Sequence, residues 1–135
     1  MPTRKRVLSI AGWTLVWGMT GMLIMVFGQQ GFAKFSATSG WVKAFAHWNY
    51  PDWFRMTIGA LEILGAALLI WPRTAPVGAA LIITIMLGAM ATHIVKEPGW
   101  HIEHEIVPLT FASVILFARR RQWLPRLFSL RAAVA

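Results

Sequence analysis

Four long apolar blocks divide the chain, and inside them the apolar residues run continuously instead of recurring at helical or alternating spacing. A membrane-spanning helix needs about 20 apolar residues in a row, and the first three blocks approach that length. The fourth is shorter, so we expect its helix to extend into residues 101–105 before it or into residues 119–121 after it. The arginine side chains at 119–121 can reach back to the membrane surface with their charged groups. The pattern predicts spans at about residues 7–28, 53–71, 74–94 and 104–121.

The composition agrees with a membrane protein. Hydrophobic residues make up 57% of the 135-residue chain and charged residues 13%, whereas soluble domains carry about 25% charged residues. We therefore predict one all-α membrane domain over residues 1–135, folded as a four-transmembrane-helix bundle. A basic start precedes the first apolar run, but that run is too long for a signal peptide and no small-x-small cleavage site follows. We expect an uncleaved first span.

The charged residues behind the net charge of +8 are distributed in a way that indicates how the chain is oriented in the membrane. If both termini are cytoplasmic, nine of the thirteen lysines and arginines lie inside, and every acidic residue except Glu62 lies outside. This is the positive-inside pattern, and it agrees with an even number of spans. We expect a bacterial-type inner membrane protein with cytoplasmic termini and a cationic interfacial tail at residues 122–135. The lipid bilayer, and no nucleic acid, is its expected partner.

The first outer loop contains a short amphipathic pattern. Trp41, Phe45 and Trp48 follow one another at helical spacing after Thr38 and Ser39, which are residue types that cap helices. We expect a short helix on the outer interface, because tryptophan prefers that depth. On this interpretation the aromatic side chains are membrane anchors and not the wall of a ligand site.

Small residues recur in the third predicted span. Ala80, Thr84, Gly88 and Thr92 lie four apart, and such a stripe lets another helix approach closely. With the small residues of the second span, it predicts a tightly packed bundle.

Glu62 is the most informative residue, because no other charge follows Arg55 in its span. A carboxylate inside a span is costly and normally has a partner. Counting the helical rise from each span end places Lys34, His93 and Glu105 in the same outer half as Glu62. We expect Glu62 to be a buried acid or proton acceptor and His93 its hydrogen-bond or proton partner. Lys34 would be the counter-charge, and Glu105 would orient His93 or Lys34.

Two interpretations of this outer cluster need no metal. In the first, the cluster is structural: Glu62 bonds Thr57, an indole or a carbonyl, and Glu103 and Glu105 complement the dipole of the fourth helix. In the second, it binds a quinone, whose carbonyls need hydrogen-bond donors and whose reduction needs an acid or base.

Two further interpretations assign other chemistry. His101 and His104 lie near each other in sequence, and with Glu105 and His93 they could hold a metal ion. Axial haem ligation by His93 fits less well. Alternatively, Glu62 could carry protons in a proton-coupled transporter of small solutes.

The sequence also resembles the DoxX and DoxX-like family of small four-helix membrane proteins. The similar segments are GFAKF at 31–35, LEILGAALLI at 61–70 and GAMATHI at 88–94, followed by Gly99-Trp100 and by Glu105 before an apolar run. These segments keep their order and spacing over roughly residues 10–118. A departure is His101-Ile102-Glu103-His104, where the family usually has a glycine pair.

The resemblance implies a role near redox chemistry. The family includes a quinone-reducing thiosulfate oxidoreductase and members of membrane oxidoreductase complexes, and its polar positions correspond here to Lys34, Glu62, His93 and Glu105. The chain has no cysteine, which excludes the cysteine-dependent redox relatives. The resemblance therefore implies a protein that works with an electron-transfer assembly, with a quinone as the cofactor to consider. An accessory subunit of a larger membrane complex, or a homo-oligomer, is the alternative.

Overall fold

The computed structural model describes residues 3–99 and 102–134, and it contains six helices and no strand in that part of the chain. The predicted all-α fold is therefore confirmed. The helices are α1 (Arg4–Ala33), α2 (Gly40–His47), α3 (Asp52–Ile70), α4 (Ala75–Lys96), α5 (Glu103–Ala118) and α6 (Arg120–Val134).

Among the described residues, α1, α3 and α4 are long and apolar enough to cross a membrane. The α5 helix has 16 residues and ends before Arg119, so the fourth apolar block forms a shorter helix than the predicted 104–121. Two acidic residues, Glu103 and Glu105, occupy its first turn, where carboxylates favour the positive end of the helix dipole.

The helices α1, α3, α4 and α5 pack as antiparallel neighbours. A short turn joins α3 to α4, and Thr74 Oγ1 donates a hydrogen bond to the carbonyl of Leu68 at 2.6 Å across it. Gly65 and Gly78 let the two backbones approach closely near this turn, since a Cβ on Gly78 would lie 2.9 Å from the Gly65 carbonyl oxygen. We call this end of the bundle, which carries Arg73 and Arg119, the basic end.

A second glycine contact joins α1 to α3 towards the opposite end. A Cβ on Gly31 would lie 2.8 Å from the Gly59 carbonyl oxygen, and a Cβ on Gly59 would lie 2.8 Å from the Gly31 carbonyl oxygen. The two backbones are therefore in contact at Gly31 and Gly59, and only the hydrogen atom of a glycine side chain fits between them. We call this end, which carries Lys34 and His93, the polar end.

The apolar core lies between the two ends. Its fully buried side chains come from all four packed helices: Leu23, Leu69, Ile82 and Ile115, with Thr20 bonding its own helix at the Val16 carbonyl. Branched aliphatic side chains therefore form most of this core.

Arg119 follows α5 at the basic end and is buried, with 3% of its surface exposed. Its guanidinium carbon lies 5.3 Å and 5.2 Å from the ring centres of Trp13 and Trp17 on α1, within the range of cation–π attraction. The α6 helix that follows is exposed along most of its length and begins at Arg120, two residues before the predicted tail.

The glycine contact between α1 and α3 generates a stability prediction. We expect Gly59→Ala to lower the free energy of unfolding by about 1–3 kcal/mol, because its methyl group meets a backbone oxygen that cannot rotate away. The measurement is unfolding in detergent, followed by circular dichroism.

Gly21→Ala on α1 is the matched control, since a Cβ there meets nothing within 4 Å. We expect it to leave the unfolding midpoint unchanged or to raise it slightly, because alanine is the better helix former. Equal destabilisation by the two substitutions would contradict the proposed backbone contact.

Candidate functional site

A buried ion pair joins α1 to α3 at the polar end. Lys34 Nζ lies 3.0 Å from Oε1 and 2.8 Å from Oε2 of Glu62, and the two side chains are only 3% and 5% exposed. The glycine contact explains the pairing, because Lys34 lies three residues after Gly31 and Glu62 three residues after Gly59. Residues three apart share a helix face, so the close backbone contact brings both side chains together.

Arg55 supports the Lys34 backbone from α3. Its Nη1 donates a hydrogen bond to the Lys34 carbonyl oxygen, and its Nε and Nη2 donate to Asp52 Oδ1 at 3.0 Å and 2.8 Å. Arg55 is buried, which its position near the start of an apolar block did not indicate. The signal that could have identified it is Asp52, an acid one turn earlier on the same helix.

The short α2 helix covers the ion pair. The ring centre of Trp41 lies 3.7 Å from Lys34 Nζ, and the Trp41 indole nitrogen donates a hydrogen bond to Gln30 Oε1 at 3.0 Å. The lysine therefore has a carboxylate on one side and an aromatic face on another.

A second polar pair joins α4 to α5. His93 Nδ1 lies 3.0 Å from Glu105 Oε1, but this approach does not have the angles of a hydrogen bond, and Glu105 Oε2 is also buried without a hydrogen-bond partner. Glu105 is buried and His93 nearly so. Buried polar atoms are normally paired, so this pair retains hydrogen-bonding capacity that the described residues do not use.

Both polar pairs line one cavity of about 380 Å³ at the polar end. Its remaining wall is mostly apolar and aromatic, supplied by α3, α4 and the segment from α2 to Tyr50. Small-molecule sites have volumes of about 300–1,000 Å³ and this same combination of apolar wall and few polar groups. The cavity is therefore large enough for a small ring with polar substituents.

The aromatic residues of the first loop form part of the cavity wall. Trp48 Nε1 donates a hydrogen bond to Glu97 Oε1 at 2.7 Å, and the Tyr50 hydroxyl lies 2.9 Å from Thr92 Oγ1. These two bonds tie the loop to the end of α4. The α2 helix was expected from the sequence, which interpreted its aromatics as membrane anchors, and the structure shows that these side chains also line the cavity. Spacing alone does not show what lies beneath a helix.

The structural interpretation gave Glu62 a different partner. Thr57 Oγ1 instead donates a hydrogen bond to the Trp53 carbonyl at 2.8 Å, one turn back on its own helix. Glu62 bonds Lys34 from the neighbouring helix. Thr57 is nearer to Glu62 in sequence, but the packing of α1 on α3 makes Lys34 the partner of Glu62.

The predicted metal ligands are only partly described. His101 lies outside the described residues, and His104 is exposed. Within residues 3–99 and 102–134, no three histidine or acidic side chains lie close enough together to hold a metal ion.

Comparison with known proteins gives two findings. A profile described as the DoxX-like family matches residues 18–118. The uncharacterized protein YdgD of Bacillus subtilis (strain 168) is 37% identical over 70 residues, which cover 49% of this chain and 61% of that protein. The match thus spans less than two thirds of the relative's length. No solved structure matches the chain.

The buried ion pair generates a double-mutant prediction. We expect Lys34→Met alone to lower the free energy of unfolding by about 3–5 kcal/mol, because it leaves the Glu62 carboxylate buried without its partner. Lys34→Met with Glu62→Met should cost much less, because neither charge remains. Detergent unfolding of both single variants and the double variant measures the coupling. Additive losses would show that the two side chains do not interact.

Proposed function

Because the chain belongs to the DoxX-like family, we propose that it is a membrane protein whose polar-end cavity binds a small amphipathic redox molecule of the quinone type. In this proposal it works with a membrane oxidoreductase or electron-transfer assembly. The chain holds and protonates the ligand, and the partner supplies the electrons.

One observation carries this proposal: two buried polar pairs line a single, mostly apolar cavity. Unpaired buried polar groups cost about 1–3 kcal/mol each, so most buried polar groups are paired within a protein. Glu105 Oε2 and His93 Nδ1 are instead buried without a hydrogen bond. A ligand with a hydroxyl group, such as a quinol, would donate a hydrogen bond to Glu105 Oε2.

The two pairs suit different steps of quinone chemistry. Reduction of a quinone to a quinol adds two electrons and two protons, and each carbonyl oxygen becomes a hydroxyl. The Lys34 ammonium group is a hydrogen-bond donor for one carbonyl. His93 beside Glu105 is an acid–base group for the other, because an imidazole can donate or accept a proton and can donate a hydrogen bond.

The charge distribution supports the membrane orientation in this proposal. The basic end carries Arg73 and Arg119–Arg121, and the acidic side chains lie towards the polar end. In this proposal the basic end and both termini lie in the cytoplasm, as the positive-inside pattern favours, and α5 is the fourth crossing. The cavity would open in the outer half of an inner membrane.

An accessory subunit is a second candidate, favoured by the first part of α1. Residues 4–15 are exposed and include Val7, Leu8 and Ile10. This surface would suit lipid or a larger membrane protein equally. In that function the protein would help to assemble a complex without taking part in its turnover.

Binding of decyl-benzoquinone in lipid nanodiscs, measured by calorimetry, tests the proposed function. We expect His93→Ala to weaken binding of the quinone about tenfold, the effect of one lost hydrogen bond. We expect Glu105→Gln to weaken binding of the reduced quinol to a similar degree, because the quinol hydroxyl donates to the carboxylate. His104→Ala is the control, because His104 is exposed on the same segment and should bind as the wild type does. An absence of wild-type binding, or equal binding by all variants, would contradict a quinone site.

A further inference from the structure

The cavity has one exposed flank. Among the described residues that line it, Thr84 and Gly88 of α4 are exposed, and the others are buried or half-buried. The two exposed residues lie one helical turn apart, so together they mark a single edge of the cavity. A Cβ on Gly88 would meet nothing within 4 Å, which shows open space at this edge.

The edge lies at the middle of a span. Thr84 is nine residues and Gly88 thirteen residues after the first residue of the α4 helix, Ala75–Lys96, or roughly 14 and 20 Å along it. The same face of α4 exposes Val77, Leu87 and Val95, at 59%, 53% and 75%. In a membrane this face meets hydrocarbon, and water would have to pass about half the thickness of the bilayer to reach the edge.

The packing of α3 on α4 explains the gap. Near the turn, Gly65 and Gly78 bring the two backbones into contact. Farther along, Ile58 and Leu61 of α3 line the cavity and are only half-buried. Because Gly88 has no side chain, it does not fill the space on its side of the edge.

We propose that this edge is a lateral mouth through which a lipophilic ligand enters the cavity from the hydrocarbon region between α3 and α4. The polar head of the ligand reaches the Lys34–Glu62 and His93–Glu105 pairs. Its apolar tail extends past Thr84 and Gly88 into the hydrocarbon region. This inference rests on the proposed function and specifies its ligand: a membrane-dissolved molecule with a hydrogen-bonding ring and a hydrocarbon chain.

The unpaired Glu105 oxygen points to a ligand independently of the small-residue stripe. Glu105 is 6% exposed and lines the same cavity, and its Oε2 has no hydrogen-bond partner. The sequence suggested that the stripe of Ala80, Thr84, Gly88 and Thr92 would let another helix approach, and its first three residues are Ala80, Thr84 and Gly88. In the described structure these three residues are exposed, and the cavity lies directly behind two of them.

The first test narrows the mouth. Gly88→Phe places a ring in the open space, whereas Gly21→Phe places the same ring on the exposed face of α1, where a Cβ also meets nothing within 4 Å. We expect Gly88→Phe to slow the association of decyl-benzoquinone in nanodiscs about tenfold or more, and Gly21→Phe to leave it unchanged. Stopped-flow quenching of tryptophan fluorescence measures the rate. Equal rates in both variants would overturn the lateral mouth.

The second test needs no ligand. The chain has no cysteine, so Leu61→Cys carries a single nitroxide label in the cavity wall. If the mouth opens to hydrocarbon, membrane-dissolved oxygen should relax this label much more than a water-soluble nickel chelate does. Adding Gly88→Phe should lower the oxygen effect several-fold, and adding Gly21→Phe should not. Stronger relaxation by the nickel chelate would overturn the proposal, because the cavity would then open to water.

The tests separate this inference from the proposed function. If the wild type does not bind the quinone but the label shows oxygen access through Gly88, the mouth stands and the quinone assignment fails. If the wild type binds and both phenylalanine variants bind equally fast, the site stands and the mouth fails. A wild-type dimer in nanodiscs that Gly88→Phe converts to a monomer would also overturn the mouth, because a second copy would then cover the stripe.

Discussion

The buried ion pair between Lys34 and Glu62 is the interaction on which the polar end depends. Moving two charges out of water costs several kcal/mol for each ion, and only close, well-oriented contact offsets that cost. The contact between Gly31 and Gly59 brings α1 and α3 close enough for the two charged groups to meet. Arg55 fixes the Lys34 backbone, and Trp41 covers the ammonium group. The first loop therefore folds over the pair.

The cavity follows from how the helices diverge around that pair. The α3 and α4 helices touch at Gly65 and Gly78 near their turn, while the polar end holds a lysine, two carboxylates and an imidazole among large aromatic rings. Aliphatic residues fill the middle of the bundle closely.

The two ends of the bundle have different electrostatic characters. At the basic end, Arg119 is buried against Trp13 and Trp17 and no acidic residue follows Glu105 in the chain. At the polar end, opposite charges pair inside the protein. The first arrangement anchors and orients a membrane protein. The second suits chemistry in which charges or protons must be held in an apolar setting.

The sequence by itself determined the class of the protein, because continuous apolar blocks and their charged ends are local features of the chain. It also predicted the α2 helix and selected Lys34, Glu62, His93 and Glu105 by depth. It offered Lys34 as the counter-charge and Glu105 as the group that orients His93 or Lys34, and the structure joins Lys34 to Glu62 and His93 to Glu105. It did not determine the burial of Arg55 or the aromatic cavity wall. Those depend on contacts between helices far apart in sequence, such as Gly31 with Gly59. Periodicity reports which face of a helix is apolar, but only packing decides what that face meets.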